Sequence, residues 1–495
     1  MEYKNFIGGK WCDSVTGRKF EKYNPANIDE LVGVFPASDA RDVNKAVESA
    51  KKAFEYWSKM PVPKRAEIMG RVGDLLAEKK EEIARLSTRE MGKILIETRG
   101  DVQEGIDTAY YAFGEGRRFF GKTTPSELQD KICLTFHRPI GIAGIITPWN
   151  FPMAIPCWKI IPALLCGNTV VFKPSREAPA TATKLVEILL EAGVPEEAIN
   201  LVHGAGGEVG EAICTHPDIG VVSFTGSVEI GRRIAELGGK GLKRVSLELG
   251  GKNAQIVLED ADMELALDGV IWGAFGTTGQ RCTATSRLIL VKDIHDEFVD
   301  RLVERAKKIK IGNGLDPKTE MGPLVSKKQR EKVHAYVEIG KKEGATLVTG
   351  GKFYEEDGLK GWFYEPTIFI NVKPDMRIAQ EEIFGPVLSV IKVDDFDEAI
   401  EVMNSTTYGL SSSIYTRDIN RAMKAVELIE AGITYINSPT IGAECHLPFG
   451  GVKNTGNGHR EGGWTVYEIF SEIQTVYIDY SGRLQRAQID VSVTK

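Results

Sequence analysis

The chain's most reactive side chain type, cysteine, occurs at position 282 in a setting suited to chemistry. Cys282 lies in Phe275-Gly276-Thr277-Thr278-Gly279-Gln280-Arg281-Cys282-Thr283, a polar, glycine-bearing segment rather than an apolar face. The thiolate is the nucleophilic form, and an adjacent cation such as Arg281 favours it. Taken alone, this setting suits an inert cysteine equally well. Glu248 closes the apolar run Val245-Ser246-Leu247-Glu248-Leu249 before Gly250-Gly251, where a carboxylate is costly to bury. For a lone glutamate a solvated strand end or a salt bridge is the better account; a general base that activates water is the chemical alternative. Asn150, in Thr147-Pro148-Trp149-Asn150-Phe151-Pro152, brings an amide able to donate to an oxyanion, although Asn and Pro also make ordinary turns. In Phe224-Thr225-Gly226-Ser227-Val228-Glu229-Ile230-Gly231 a strand ends and a helix begins, a place where backbone can approach a phosphate. That glycine pair is a weak signal by itself, and Gly204-Ala205-Gly206-Gly207 reads equally well as a turn.

These residues need a scaffold. Helical spacing runs through Val43, Ala46, Val47, Ala50, Phe54 and Trp57, then through a charged stretch opened by Pro63 and carrying Ile68, Val72, Leu75, Leu76, Ile83 and Leu86. A third helix is predicted over 102–119. From Gly141 short apolar runs at 141–147, 169–172, 200–203, 221–224 and 245–249 alternate with helical stretches at 154–166, 178–192, 207–215 and 228–237. That alternation predicts a buried parallel sheet in a doubly wound domain. A second series follows, with strands at 287–291, 346–349, 366–370, 387–393, 411–415 and 433–436 and helices at 294–309, 327–343, 396–404 and 418–430. Two amphipathic strands, 131–136 and 473–478, stand outside both series and read as antiparallel arms that pair with each other or with a neighbouring subunit. The predicted class is α/β: a doubly wound dinucleotide-binding domain (1–121 and 140–251), a second α/β catalytic domain (252–445) and a small β oligomerisation arm (122–139 and 465–495).

Composition narrows the class. At 495 residues the chain exceeds one core. Sixty-two Lys and Arg against 69 Asp and Glu give a net charge of −7, which does not advertise nucleic-acid or anionic-membrane binding. No run of about 18 apolar residues predicts a membrane span, and the first residues lack a secretory pattern. Seven scattered cysteines without Cys-x-x-Cys fit a reducing, cytoplasmic setting, and the histidines show no metal-ligand spacing.

Six short segments occur in the order of one family: Pro148-Trp149-Asn150-Phe151-Pro152, Phe172-Lys173-Pro174-Ser175, Phe224-Thr225-Gly226-Ser227, Glu248-Leu249-Gly250-Gly251-Lys252, Gly279-Gln280-Arg281-Cys282 and Glu381-Glu382-Ile383-Phe384-Gly385-Pro386. Together they resemble the aldehyde dehydrogenase superfamily over nearly the whole chain. The resemblance implies that Cys282 is the nucleophile, that the Asn150 amide and the Cys282 N–H form an oxyanion hole, and that Glu248 activates water to hydrolyse a thioester. It implies a nicotinamide cofactor, NADP or NAD, held by Trp149, Lys173, Ser175, Arg176, Gly206, Gly207, Phe224, Gly226, Ser227, Leu249, Glu382 and Phe384. It also implies a small-molecule aldehyde substrate, release of a free acid, and a homodimer or homotetramer built through the arm.

Two features qualify the likeness. Many NAD-preferring members carry Glu where this chain has Arg176, and a cation there suits a 2′-phosphate. Glu104 in Asp101-Val102-Gln103-Glu104, Arg281, and the pair Gly442-Ala443 resemble the substrate-binding positions of the α-aminoadipic semialdehyde dehydrogenase (antiquitin) branch. Glu444-Cys445-His446-Leu447-Pro448-Phe449 and Thr147-Pro148-Trp149 look more like 2-oxoglutarate semialdehyde and general aldehyde dehydrogenases. The expectation is therefore a carboxylate-bearing semialdehyde such as 2-aminoadipate semialdehyde, with a 2-oxoglutarate semialdehyde or broad aliphatic enzyme as the alternative and a non-catalytic binding protein as the remote one.

Overall fold

The computed structural model describes residues 1–119, 121–356 and 358–489. The last residues of the arm assigned from sequence, 490–495, lie outside them. Two seven-stranded sheets dominate. In the first, five parallel strands lie in the order Arg244–Glu248, Ile219–Thr225, Ile142–Ile146, Thr169–Lys173, Ile199–Leu201. The chain therefore runs outward from Ile142–Ile146 in one direction, then returns and runs outward in the other. Helices cover both faces because the strands are apolar on both. Ala143 and Ile145 enter one core with the helices Val62–Glu78, Leu95–Glu115 and Ala154–Cys166, while Ile142 and Ile146 enter the other. The fold class is the α/β one expected.

An N-terminal hairpin, Asn5–Ile7 and Lys10–Cys12, extends this sheet antiparallel. Its strands, three residues each, went unassigned because they are too short to show an alternation in the sequence. Gly8 and Gly9, at φ 60° and 76°, make its tight turn. A second hairpin, Lys19–Asn24 with Asn27–Pro36, also went unassigned. The charged stretch after Pro63 is not one helix: it breaks at Lys79 into Val62–Glu78 and Lys80–Met91. The helix expected from 102 begins earlier, at Leu95.

The second sheet follows the order Thr346–Thr349, Thr367–Ile370, Val387–Val393, Arg287–Val291, Ala254–Val257, Ser411–Tyr415, Ile433–Ile436, parallel except at the first pair. Its inner strand Ala254–Val257 and the helix Met263–Phe275 were not anticipated. The two odd strands pair with each other within the chain, Lys131–Pro139 against Ser471–Asp479, and Thr123–Pro125 adds a third.

The sheets meet end to end. Strand Arg244–Glu248 leaves the first sheet at its carboxyl end, and a few residues later Ala254 enters the second at its amino end. Thr147–Asn150, Ser227 and Cys282 all fall in this seam, at loops following the first sheet's strands or preceding the second's. Crevices beyond the carboxyl ends of strands, where strand order reverses, are where such sheets bind ligands.

Candidate active site

Cys282 sits at the end of an irregular loop. Thr277 and Thr278 hold left-handed backbone (φ 53° and 58°), although both are β-branched and buried. That conformation costs an L-residue about 1–2 kcal/mol, so the surroundings must enforce it. They do so with hydrogen bonds. Glu97 Oε1 accepts from the Thr277 N–H at 2.8 Å, and Thr278 Oγ1 donates to the Gly322 carbonyl at 2.9 Å. Gln280 Nε2 donates to the Thr277 carbonyl, and Gln280 Oε1 accepts from the Val325 N–H. Gly279 (φ 66°) is required twice over: a Cβ there would stand 2.2 Å from the Gly385 carbonyl oxygen.

Burial pushes the Cys282 thiol up to about 12, with Glu382 and Glu248 adding to the rise. This corrects the sequence expectation that Arg281 favours a thiolate. The guanidinium is turned away: Nη2 donates to Glu97 at 3.1 Å, Nε donates to Thr277 Oγ1 at 2.9 Å, and the group lies over the Phe151 and Trp272 rings. The carbonyl of Cys282 is fixed by Asn253 Nδ2 at 2.8 Å.

Asn150 is buried, and its Nδ2 donates to the Gln280 carbonyl at 3.0 Å. An amide nitrogen carries two hydrogens, so one remains to meet a reacting oxygen beside Cys282. Glu248 is 3% exposed and neither carboxylate oxygen has a hydrogen-bond partner among the described residues. Burial first, then Glu461, holds its pKa well above the usual carboxylate range, against Lys159 and Arg460. The salt-bridge account of Glu248 therefore does not hold. The salt bridge nearby is a different one, Lys159 with Glu461, and Lys159 also donates to Ser223 Oγ at 2.8 Å. Glu461 was missed in the sequence: in Arg460-Glu461-Gly462-Gly463 it stands before a glycine pair as Glu248 does, but no apolar run precedes it. The segment 446–464, assigned to no domain from the sequence, closes over Glu248 through the Glu248–Gly456 bridge and the Leu249 N–H to Thr455 bond.

Two cavities open on either side of Cys282. One, of about 440 Å³, is lined by all four residues expected at the substrate, Glu104, Arg281, Gly442 and Ala443, together with Glu248. It also holds Glu97, Asp101, Trp158 and Phe449, which the sequence did not single out. The other, of about 170 Å³, brings together Trp149, Asn150, Gly226, Ser227, Leu249, Glu382 and Phe384. Gln329 and Lys332 join them unforeseen; Gln329 Nε2 donates to the Phe384 carbonyl at 2.8 Å, fixing a residue at φ 61°.

The remaining expected cofactor residues stand further along the strand ends. Lys173, at the end of Thr169–Lys173, is buried, donates to the Pro174 carbonyl, and is lowered to about 8 by burial and Arg176. Ser175 accepts from the Glu177 N–H, and Arg176 is exposed with its guanidinium 4.4 Å above the Phe20 ring. Gly206 and Gly207 are exposed with open space before them, and Phe224 packs under Gly226. Among the described residues, no three His, Cys, Asp or Glu side chains are grouped to hold a metal ion. No described helix is long and apolar enough to cross a membrane.

A family model described as the aldehyde dehydrogenase family matches residues 11–476. The chain belongs to the aldehyde dehydrogenase family. It is 42% identical to the alpha-ketoglutaric semialdehyde dehydrogenase of Bacillus subtilis over 477 residues, 96% of this chain and 98% of that one. It is also 42% identical to the 2,5-dioxopentanoate dehydrogenase of Saccharolobus solfataricus, over 95% of this chain and 98% of that one. The crystal structure of a betaine aldehyde dehydrogenase mutant from Staphylococcus aureus in complex with NAD+ superposes with a TM-score of 0.95 at 36% identity, covering 97% and 98% of the two chains. This aldehyde dehydrogenase is thus a nicotinamide-dependent oxidoreductase of the α/β architecture read from its sequence.

Proposed function

We propose that this enzyme oxidises a short aldehyde with a distal carboxylate, 2-oxoglutarate semialdehyde being the type, to the free acid through a thioester on Cys282. The observation that carries the reading is the position of Cys282 on the wall between two cavities, beside a buried carboxylate with no partner. At rest the thiol keeps its proton, and Glu248, whose raised pKa makes its ionised form a stronger base than an ordinary carboxylate, draws it off from that ionised form as sulfur attacks the aldehyde carbon. The free Asn150 N–H and the Cys282 N–H stabilise the alkoxide that forms. A nicotinamide cofactor in the smaller cavity supplies the acceptor for the hydride that leaves this carbon. Glu248, having passed the thiol proton to solvent, then takes a proton from the water that attacks the thioester, and returns it to the leaving sulfur as the acid departs and the thiol is restored.

The residues present fit that cofactor. The smaller cavity lies where strand order reverses, beside Gly226 and the N-terminus of the helix Val228–Lys240, which Ser227 caps. Gly250 admits the Glu382 carboxylate, which a Cβ would meet at 2.4 Å. Lys173 and Arg176 stand close enough to interact, a pair of cations suited to the extra phosphate of NADP. We assign 1–121 and 140–251 to cofactor binding, 252–445 to catalysis and 122–139 with 465–495 to assembly.

Charge in the larger cavity supports the substrate class. Three of its carboxylates are matched by buried or half-buried cations: Glu97 by Arg281, Asp101 by Lys93 and Glu461 by Lys159. Glu104 has no ion pair among the described residues and is pushed up to about 8, chiefly by burial. At neutral pH it carries a proton and can donate to a keto oxygen, while Arg281 faces the carboxylate. Three of the relatives at 42% identity are named for one and the same compound, a 2-oxo acid with a terminal aldehyde, and another at 42% is named aldehyde dehydrogenase 1A1. A second reading, 2-aminoadipate semialdehyde, is favoured by the same Glu104, whose ionised form accepts from an ammonium.

The test is absorbance at the reduced-nicotinamide band, with NAD and NADP, across 2-oxoglutarate, aminoadipate and succinate semialdehydes and plain aliphatic aldehydes. Preference for the 2-oxo acid with NADP at least as good as NAD is expected. A flat profile reduces Glu104 and Arg281 to structure, and NADP poorer than NAD by about tenfold removes the role of Arg176.

A further inference from the structure

Glu97 does no chemistry in the reaction above, yet it touches the nucleophile's loop twice. One oxygen, Oε1, accepts from the Thr277 N–H at 2.8 Å and from Arg281 Nη2 at 3.1 Å. These two residues bracket the loop: Thr277 opens its left-handed stretch, and Arg281 precedes Cys282. Arg281 Nε closes the circuit on Thr277 Oγ1. Both charged side chains are almost out of solvent, at 12% and 10% exposure. Their anchor is firm, because Glu97 lies in the first turn of the long helix Leu95–Glu115, packed in the first sheet's core.

We propose that Glu97 is the positioning residue for Cys282: it ties the strained Thr277–Arg281 turn, which belongs to the second sheet's side of the seam, to a helix of the first. An unanchored turn relaxes toward ordinary backbone, because β-branched residues resist left-handed φ. The sulfur then moves relative to Asn150, which is held to the same loop at the Gln280 carbonyl. Displacements on the order of 1 Å at a reacting atom cost about 100-fold in rate.

The inference rests on Cys282 being the nucleophile, which Cys282→Ala tests separately: an active alanine enzyme ends that reading whatever Glu97 does. With that variant inactive, Glu97→Ala, Glu97→Gln and Glu97→Asp are compared on a plain aliphatic aldehyde, so that no substrate carboxylate engages Arg281. Glutamine keeps an oxygen at the same reach; aspartate keeps the charge but falls one methylene short. The alanine and aspartate enzymes are expected to lose kcat by about tenfold or more, with KM for the cofactor unchanged and a shifted rate of Cys282 alkylation by iodoacetamide, while glutamine stays within about threefold. An alanine or aspartate enzyme with wild-type kcat, or a glutamine enzyme as impaired as aspartate, overturns the proposal. Should the alanine chain be recovered unfolded, the glutamine–aspartate contrast decides alone.

Discussion

A thiol raised to about 12 sits mostly protonated at neutral pH, and its environment is acidic rather than cationic. Thiolate is the form that alkylates, so the rate of Cys282 alkylation in the resting enzyme should climb with pH and show no plateau below about pH 9. Mass spectrometry of iodoacetamide-treated protein measures it, and a plateau near pH 7 would contradict the assignment. Glu248 is expected to matter after the thioester forms as well as before. In Glu248→Gln, kcat should fall by about 10²–10⁴-fold, and intact mass should show an acyl adduct during turnover; a fast enzyme with no adduct would remove the base role. Glu104 gives the sign of a third effect. Its protonated form is the donor and is lost as pH rises through about 8. KM for a 2-oxo semialdehyde should therefore rise above that pH, KM for a 2-amino semialdehyde should fall, and Glu104→Gln should flatten both curves.

The loop and the strand ends, rather than single side chains, decide whether these groups meet. Gly279→Ala places a Cβ against the Gly385 carbonyl in left-handed backbone, with no flexible side chain able to give way. Loss of activity with a fall in apparent melting temperature on the order of 5 °C is expected; a variant with both unchanged would show that the two loops do not abut. What the sequence could reveal follows the same division. The strands Arg287–Val291, Val387–Val393 and Ser411–Tyr415 were readable because each is a continuous apolar or small-residue run between turn residues. Ala254–Val257 was not, being four residues whose burial depends on strands far along the chain. Met263–Phe275 hid for the opposite reason: it is so apolar that helical periodicity barely shows. At the site, Cys282, Glu248 and Asn150 were legible only because the short segments carrying them occur together in one family's order; each alone suits an ordinary structural account as well or better. Glu97 was not, since a glutamate in the first turn of a helix is ordinary, and only the tertiary approach of Thr277 and Arg281 gives it a task.

On the scale of the molecule, the three-stranded sheet leaves Ile473, Tyr477 and Ile478 exposed at 66%, 66% and 47%, beside Ile132 and Phe136. Several large apolar side chains exposed together on one small sheet suit an interface more than a solvated edge. We expect a homodimer or homotetramer, and the pair Ile473→Asp and Ile478→Asp should shift the mass measured by light scattering toward the monomer. An unchanged mass would place assembly elsewhere.

The partition between the two cavities has a consequence for how such an enzyme diversifies. Among the described residues, only Ile155, Thr225, Leu249 and Cys282 border both spaces. Every other described residue that lines these spaces borders one or the other. On the proposed function, substitutions around Glu104, Trp272 or Phe449 should therefore retune which aldehyde is admitted while leaving the walls of the smaller space unchanged, and changes near Arg176, which borders neither space, should leave the substrate profile as it was. The chain is built as two separately adjustable locks that share one bolt.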